Sequence, residues 1–205
     1  QCENLIEIEI AQSVTSIGRE AFGDHRGIDV YIKDLRKFLE ACISENEIFT
    51  PKNDGDYYRL FLNNVEVKDL IIPEGVTRIP VLARCSSLTS VIVSEGNDCN
   101  YYAGIFQNCK NLKQAKFPNS CQIIAPVTFA NTGLTTMIIG NNVTTIWHGA
   151  FSCCPLNAFY SYTQTPPVID YVNGLSDTAI SNMSTEIRYS FGGVNKDNAT
   201  LYVPA

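Results

Sequence analysis

The sequence is poor in the residues that most often carry chemistry or bind metals. Among its 205 residues there are two histidines, one tryptophan and two methionines. The motifs GxSxG and HExxH do not occur, so the local signatures of a hydrolase nucleophile and of a zinc protease are missing. A zinc site would depend on thiolates, and the eight cysteines form no CxxC knuckle. We therefore expect a protein that is not an enzyme and has no metal or cofactor.

Long apolar runs and clustered positive charge are also missing. No stretch approaches the roughly 18 consecutive apolar residues of a membrane helix, and the given chain does not begin with the basic-then-apolar pattern of a signal peptide. The 15 Lys and Arg residues are outnumbered by 21 Asp and Glu, which gives a net charge of −6. The sequence thus predicts no transmembrane segment in this chain and no nucleic-acid partner.

What the sequence does contain is a repeat of short extended segments. They read LTSVIV, LKQAKF, LTTMII and LNAFYS, and they begin at Leu88, Leu112, Leu134 and Leu156. Earlier copies read LIEIEI, GIDVYI and VKDLII. The fourth and sixth places are usually apolar, which is the alternation of a strand with one buried side. A unit this short cannot bury its own apolar side, so the units must stack into a solenoid.

A second block follows several of these strands. The copies SVTSIGREAF and NVTTIWHGAF combine a short extended run, a turn and an apolar pair such as Ala150-Phe151. Cysteines recur just before three of the strands, at Cys85, Cys109 and Cys154. This pattern resembles the BspA-like leucine-rich repeat family over about residues 3–32 and 65–161. The resemblance implies a leucine-rich repeat solenoid of about 22-residue repeats, mostly β with irregular turns.

Two parts of the chain depart from the repeat. Helical spacing predicts one short helix over Asp34–Cys42. Two extended runs, Tyr58–Leu62 and Val65–Leu70, flank Asn63-Asn64 as a hairpin. We therefore predict a solenoid over residues 1–161 with a helix-plus-hairpin insertion at about 33–66. Residues 162–205, which lose the period and return to a strand near the end, are predicted to be a C-terminal capping segment.

The fifth place of each strand points away from the interior and is the main candidate for ligand contacts. In an open sheet an apolar, aromatic-edged column is typical of a recognition surface. The alternative is ordinary packing between neighbouring strands, or coverage by the insertion. The candidates are Tyr31, Ile71, Ile92, Ile138 and Tyr160.

Large rings that replace turn residues form a second candidate group. Trp147 stands where the first copy has Gly18, and Tyr101 and Tyr102 occupy a turn of another copy. Such rings can stack on a sugar or a peptide, and packing over the turn is an equal alternative. The candidates for catalytic carboxylates lie in polar segments typical of solvated loops. They are Glu45 and Glu47, Asp54 and Asp56, and Glu95 with Asp98.

The cysteine column is interpreted as a row of small buried side chains rather than as a reactive site. A disulfide between neighbouring copies remains an alternative in an exported protein. Cys2, near the beginning of the given chain, is compatible with a lipid-anchored surface protein.

The resemblance implies a function outside the cell. Family members are similar to surface proteins of anaerobic bacteria that adhere to host matrix proteins or to other bacteria. We therefore expect a non-catalytic, secreted or cell-surface binding module whose partner is a host or bacterial surface protein. A glycan-binding accessory protein and a structural spacer of a larger surface protein are the alternatives.

Overall fold

A computed structural model describes residues 4–18, 21–22, 27–42, 57–76, 79–97, 103–163, 165, 167–170 and 200–202. Within these ranges the chain forms short strands and one helix. In chain order they are β1 (Glu7–Ile10), β2 (Ile28–Ile32), α1 (Leu35–Ala41), β3 (Tyr58–Leu62), β4 (Val65–Glu66), β5 (Asp69–Ile72), β6 (Ser90–Val93), β7 (Gln114–Lys116), β8 (Ile123–Ile124), β9 (Thr136–Ile139), β10 (Thr145–Trp147), β11 (Ala158–Ser161), β12 (Val168–Asp170) and β13 (Thr200–Tyr202).

The strands stack in parallel, each coil of the chain lying on the next. The largest sheet has six strands in the order β13-β11-β9-β7-β6-β5, and a second has the order β12-β10-β8. A third sheet, β1-β2-β3-β4, is parallel except for its last pair. The molecule is a β-solenoid of about six turns with a single short helix among the described residues. The predicted repeat solenoid is therefore confirmed.

The alternation in the sequence is an alternation of burial in the sheets. In β5, Leu70 and Ile72 are buried while Ile71 between them is exposed. Successive side chains of a strand point to opposite faces, so only every second residue reaches the interior. Neighbouring strands pair without a shift, with Leu70 opposite Val91. Equivalent side chains therefore stack in columns along the solenoid.

A stack of phenylalanine rings fills the interior of the later coils. Phe106, Phe129 and Phe151 come from three successive coils, and both steps between ring centroids are 5.6 Å. Phe117 tilts against the middle ring at 5.4 Å. All four side chains are buried. The phenylalanine of the apolar pair in each of these three coils thus lies at the centre of the core, where aromatic contacts add to the burial of apolar area.

The helix begins at a side-chain cap. The Asp34 carboxylate accepts a hydrogen bond from the backbone N–H of Lys37 at 3.1 Å, which satisfies a group that lacks a partner within the helix. Phe38 and Leu39 are buried against the solenoid interior. The helix predicted from the apolar spacing is therefore present, and its apolar face is the one that packs.

The hairpin turns at two asparagines with left-handed backbone conformations. The φ angles of Asn63 and Asn64 are 51° and 66°, as a two-residue turn of this kind requires. The second arm is shorter than the predicted Val65–Leu70, because β4 ends at Glu66 and β5 begins at Asp69 in another sheet. The chain therefore uses the hairpin to pass from one sheet to the next.

Strand β3 has two neighbours of opposite direction. It pairs in parallel with β2, with Leu60 opposite Val30, and it pairs antiparallel with β4. A single bridge joins Tyr58 to Cys85 in the following coil. The hairpin arm is thus also a strand of the solenoid.

Side chains connect the turns along one edge of the stack. The Glu95 carboxylate accepts the backbone N–H groups of Asn119 and Ser120, each at 3.0 Å. The side-chain oxygen of Asn119 accepts the N–H of Asn141 from the next coil at 2.9 Å. These bonds tie three successive turns together.

The last two described strands extend the stack. Backbone pairing joins β12 to β10 and β13 to β11, both in parallel. The strand predicted near the end of the chain is thus present at Thr200–Tyr202. Assignment of residues 162–205 as a cap, and of 33–66 as an insertion, remains a prediction.

Candidate functional site

Outward side chains of the six-stranded sheet form a column, which we call the main column. Neighbouring members are exact register partners. Ile71 and Ile92 are 56% and 41% exposed and lie side by side. The column consists of Ile71, Ile92, Lys116, Ile138 and Tyr160. Four of the five residues predicted at outward positions therefore meet on one surface.

A shorter column lies on the outward side of the first sheet, and we call it the first-sheet column. It consists of Glu9, Tyr31 and Phe61, which are register partners in β1, β2 and β3. The rings of Tyr31 and Phe61 stack with centroids 4.7 Å apart. The sequence predicted one continuous outward column. The structure instead places Tyr31 in a different sheet from Ile71, because the hairpin separates the two sheets.

Charged groups flank the first-sheet column. The Arg59 guanidinium donates two hydrogen bonds to the Asp29 carboxylate, at 2.8 and 2.6 Å, and lies 5.3 Å from the centroid of the Phe61 ring. The hydrogen-bonded carboxylate raises the pKa of Arg59. A planar guanidinium held by a bidentate pair has a fixed orientation over the ring.

Sequence reasoning missed Phe61 as an outward residue. The sequence places the run YRLFL in a hairpin and predicts no outward ligand-contact residue there. The alternation along this strand, with Leu60 buried and Phe61 on the opposite face, is the feature of the sequence that could have identified Phe61 as outward. Pairing with β2, which spacing alone does not reveal, makes this residue part of the surface.

Among the predicted turn rings, Trp147 is the one that can be placed. It lies at the end of β10, is half-buried, and tilts against His148 with centroids 6.5 Å apart. The His148 side chain is buried. Tyr101 and Tyr102 lie outside the described residues.

Glu95 is the acidic candidate that lies among the described residues. Both carboxylate oxygens of Glu95 accept hydrogen bonds from backbone N–H groups of the next coil. Glu95 therefore has a structural role in holding two coils together. The other acidic candidates lie outside the described residues: Glu45, Glu47, Asp54, Asp56 and Asp98. In the part of the chain that the structure describes, no group of three or more His, Cys, Asp and Glu side chains is arranged to hold a metal ion.

The cysteines of the predicted column are interior side chains. Cys85, Cys109 and Cys154 are buried and carry no disulfide. Burial raises the pKa of the Cys154 thiol to about 11 and that of Cys42 to about 12. A thiol reacts as its thiolate, so Cys42 and Cys154 are unreactive near neutral pH.

Thiol labelling will test this arrangement. At pH 8 a thiol of pKa about 12 is ionised in roughly one molecule in ten thousand. We therefore expect iodoacetamide to label the half-exposed Cys153 at least about 100-fold faster than Cys42 or Cys154 in the native chain. Peptide mapping by mass spectrometry at timed intervals measures the rates. The control is the same reaction in denaturant, where all three should react alike; equal rates in the native chain would contradict the burial.

Among the described cysteines, Cys121 differs from the others. Cys121 is buried and disulfide-bonded, and its partner lies outside the described residues. Disulfides persist mainly in oxidising compartments.

Comparison with known families decides the identity of these repeats. The profile described as BspA type leucine rich repeat region matches six copies, over residues 1–83 and 55–171. The chain belongs to the BspA-type leucine-rich repeat family. The family suggested by the repeat sequence is thereby confirmed. Repeats of this family suggest a protein-binding module and are generally non-catalytic.

A solved structure from the wider leucine-rich repeat group is similar to this BspA-type chain. It is a leucine-rich repeat protein from Bacteroides ovatus ATCC 8483, with 17% sequence identity and a TM-score of 0.45. The alignment covers 99% of this chain and 62% of that one. The present chain thus spans less than two thirds of the length of that protein. A search of curated proteins finds no match.

The BspA-type repeats of this chain are built from strands rather than long helices. Among the described residues no helix has the length and apolar character needed to cross a membrane.

Proposed function

We propose that this chain is a non-catalytic adhesion module that binds a host or bacterial surface protein through the main column. The observation that carries the proposal is the pair of exposed isoleucines, Ile71 and Ile92, which lie in register on the outward face. Contiguous exposed apolar side chains are typical of interaction sites in soluble proteins.

The composition of the main column suits a protein partner. Its aliphatic centre continues to a half-buried ring at Tyr160, and Lys116 supplies a positive charge within it. Aromatic anchors surrounded by apolar contacts carry most of the binding energy in protein interfaces, and a charged residue adds specificity. Each Å² of apolar surface that binding removes from water contributes about 25 cal/mol to the free energy of binding.

Location outside the cell is part of the proposal. The Cys121 disulfide supports it, because thiols in the cytosol are kept reduced. Membership of the BspA type supports it as well, since such repeats are typical of surface proteins.

A triple substitution within the main column tests the proposal. We expect Ile92→Ser/Ile138→Ser/Tyr160→Ser to weaken binding about 100-fold, because three truncations at about 1 kcal/mol each remove about 3 kcal/mol. Binding is measured on an array of purified extracellular matrix proteins, bacterial surface proteins and glycans. All three side chains lie on the outward face, so circular dichroism should show the fold unchanged.

Val168→Ser is the matched control. Val168 is an apolar residue, 66% exposed, on a strand of another sheet, and its replacement should leave binding unchanged. Equal binding by the triple variant and the wild type would overturn the main column as the site. Binding to glycans alone would favour an accessory role in sugar capture, and no binding to any array member would favour a spacer; either result overturns adhesion.

A further inference from the structure

An open groove lies where the hairpin meets the six-stranded sheet. Its volume is about 550 Å³, and its apolar lining comes from Leu35 of the helix, Leu62 and Val65 of the hairpin, and Ile71 of β5. Val65 and Ile71 are 69% and 56% exposed. The groove therefore offers an exposed apolar surface to a partner.

One wall of this groove is the edge of a sheet. Strand β5 is the last strand of its sheet, with β6 on one side and no paired strand on the other among the described residues. Ser90 and Ser94 donate their N–H groups to the carbonyls of Lys68 and Ile72. In a parallel pair the bonding groups alternate along the strand. The N–H and C=O groups of Asp69 and Ile71 therefore point toward the groove edge.

The charged groups at the groove are mostly acidic. Glu66 and Asp69 line it together with Lys68, and the Lys68 ammonium lies 3.9 Å from the Glu66 carboxylate. Asp69 accepts hydrogen bonds from the hydroxyls of Ser90 and Thr89, at 2.6 and 3.4 Å. The three charges sum to −1, and the whole chain carries −6. A positively charged occupant is therefore complementary to the groove.

We infer that this groove binds an extended, basic peptide segment of the partner as an added strand on the edge of β5. The peptide backbone pairs with the N–H and C=O groups of Asp69 and Ile71. One aliphatic side chain enters the space between Val65 and Ile71. A Lys or Arg two residues away, on the same face of the peptide, lies near the Asp69 carboxylate. Addition of a strand to a sheet edge combines backbone hydrogen bonds for affinity with a side-chain pocket for specificity.

The lining of the groove favours a peptide over a sugar. Its apolar residues are aliphatic, so the groove has no ring on which a sugar can stack. Sheet-edge groups alternate donor and acceptor along the strand, which matches an extended backbone. The inference rests on the proposed function only in that the occupant belongs to a protein; the main column and the groove are separate contacts that share Ile71.

Peptide selection tests the groove directly. Random nonapeptides displayed on phage are selected on the immobilised wild-type chain, and enriched peptides are synthesised with a fluorescent label. We expect enrichment of peptides in which an aliphatic residue and a Lys or Arg stand two positions apart, so that both face the groove. Val65→Arg, which fills the groove with a bulky cation, should weaken their binding at least tenfold in fluorescence anisotropy. Val65→Thr keeps the shape and the neutral charge and should bind within about threefold of wild type.

Hydrogen exchange measures the protection of individual backbone amides, and binding elsewhere on the surface would not change the protection of the β5 edge. On addition of an enriched peptide, the amide protons of Asp69 and Ile71 should exchange at least tenfold more slowly. A peptide that is methylated on every second backbone nitrogen keeps its side chains but loses the hydrogen-bond donors along one of its two edges. Methylation of the odd or of the even positions, whichever carries the donors that face β5, should abolish binding.

The outcomes separate this inference from the proposed function. Peptides that bind Val65→Arg as well as wild type, or that leave both amides unprotected, overturn the groove. Failure to enrich any peptide overturns it too. The triple variant Ile92→Ser/Ile138→Ser/Tyr160→Ser should retain peptide binding within about twofold, so loss of adhesion on the array and loss of peptide binding are distinguishable results.

Discussion

We expect Phe129→Ala to lower the free energy of unfolding by about 3–5 kcal/mol. Phe129 is fully buried, and its ring contacts those of Phe106, Phe117 and Phe151. Removing the middle ring leaves a cavity that the two neighbouring coils cannot close, because each coil is held in register by its own strand pairing. Unfolding in guanidinium chloride, followed by circular dichroism, measures the change.

Two further variants bracket this result. Phe129→Leu retains most of the apolar volume and should cost less than the alanine variant. Tyr162→Ala removes a large side chain that is 55% exposed and should change stability by less than about 0.5 kcal/mol. A loss below about 1 kcal/mol in Phe129→Ala would contradict the central place of this ring in the core.

The second large effect is expected at a glycine. A Cβ atom on Gly140 would lie 2.6 Å from the backbone nitrogen of Asn119, and closer still to the carbonyl oxygen of Pro118. Both atoms belong to the backbone of the preceding coil and cannot rotate away. We therefore expect Gly140→Ala to destabilise the chain by about 1–3 kcal/mol, as overpacking does in a close-packed interior.

Gly18→Ala is the matched control for this substitution. A Cβ atom at Gly18 would meet nothing within 4 Å, so the variant should be neutral or slightly stabilising. Chemical denaturation of the two variants under identical conditions gives the comparison. Equal stabilities would show that the turns of adjacent coils are not packed as closely as the structure indicates.

The buried half of the fold was predictable because it obeys a strict period. The alternation within each strand predicted Leu70, Ile72 and their equivalents as interior residues. Stacking in register requires only that apolar residues recur at the same positions of each repeat. The helix was predictable for a similar reason, since its apolar spacing and the Asp34 cap are local features.

The division into sheets was not predictable from the repeat. The segments GIDVYI and VKDLII share a pattern, yet β2 pairs with β3 and β5 pairs with β6. Pairing depends on where the hairpin places the chain in space, which no local spacing contains. For the same reason, the outward surface was predicted as one column rather than two.

The candidate site was predictable only in part. Outward positions follow from the strand period, which is why Ile71 and Ile92 were found. The groove involves Leu35 of the helix and Val65 of the hairpin. A site formed between a helix, a hairpin and a sheet depends on tertiary packing and is absent from the repeat pattern.

The parallel stacking has a mechanical consequence. The hydrogen bonds of the six-stranded sheet run from coil to coil across the strands, so tension applied between β5 and β13 loads one strand pair after another. A released coil of about 22 residues adds roughly 70 Å of extended chain at about 3.3 Å per residue. Under such a load the chain would lengthen in steps, dissipating work at each step while the remaining coils keep their shape.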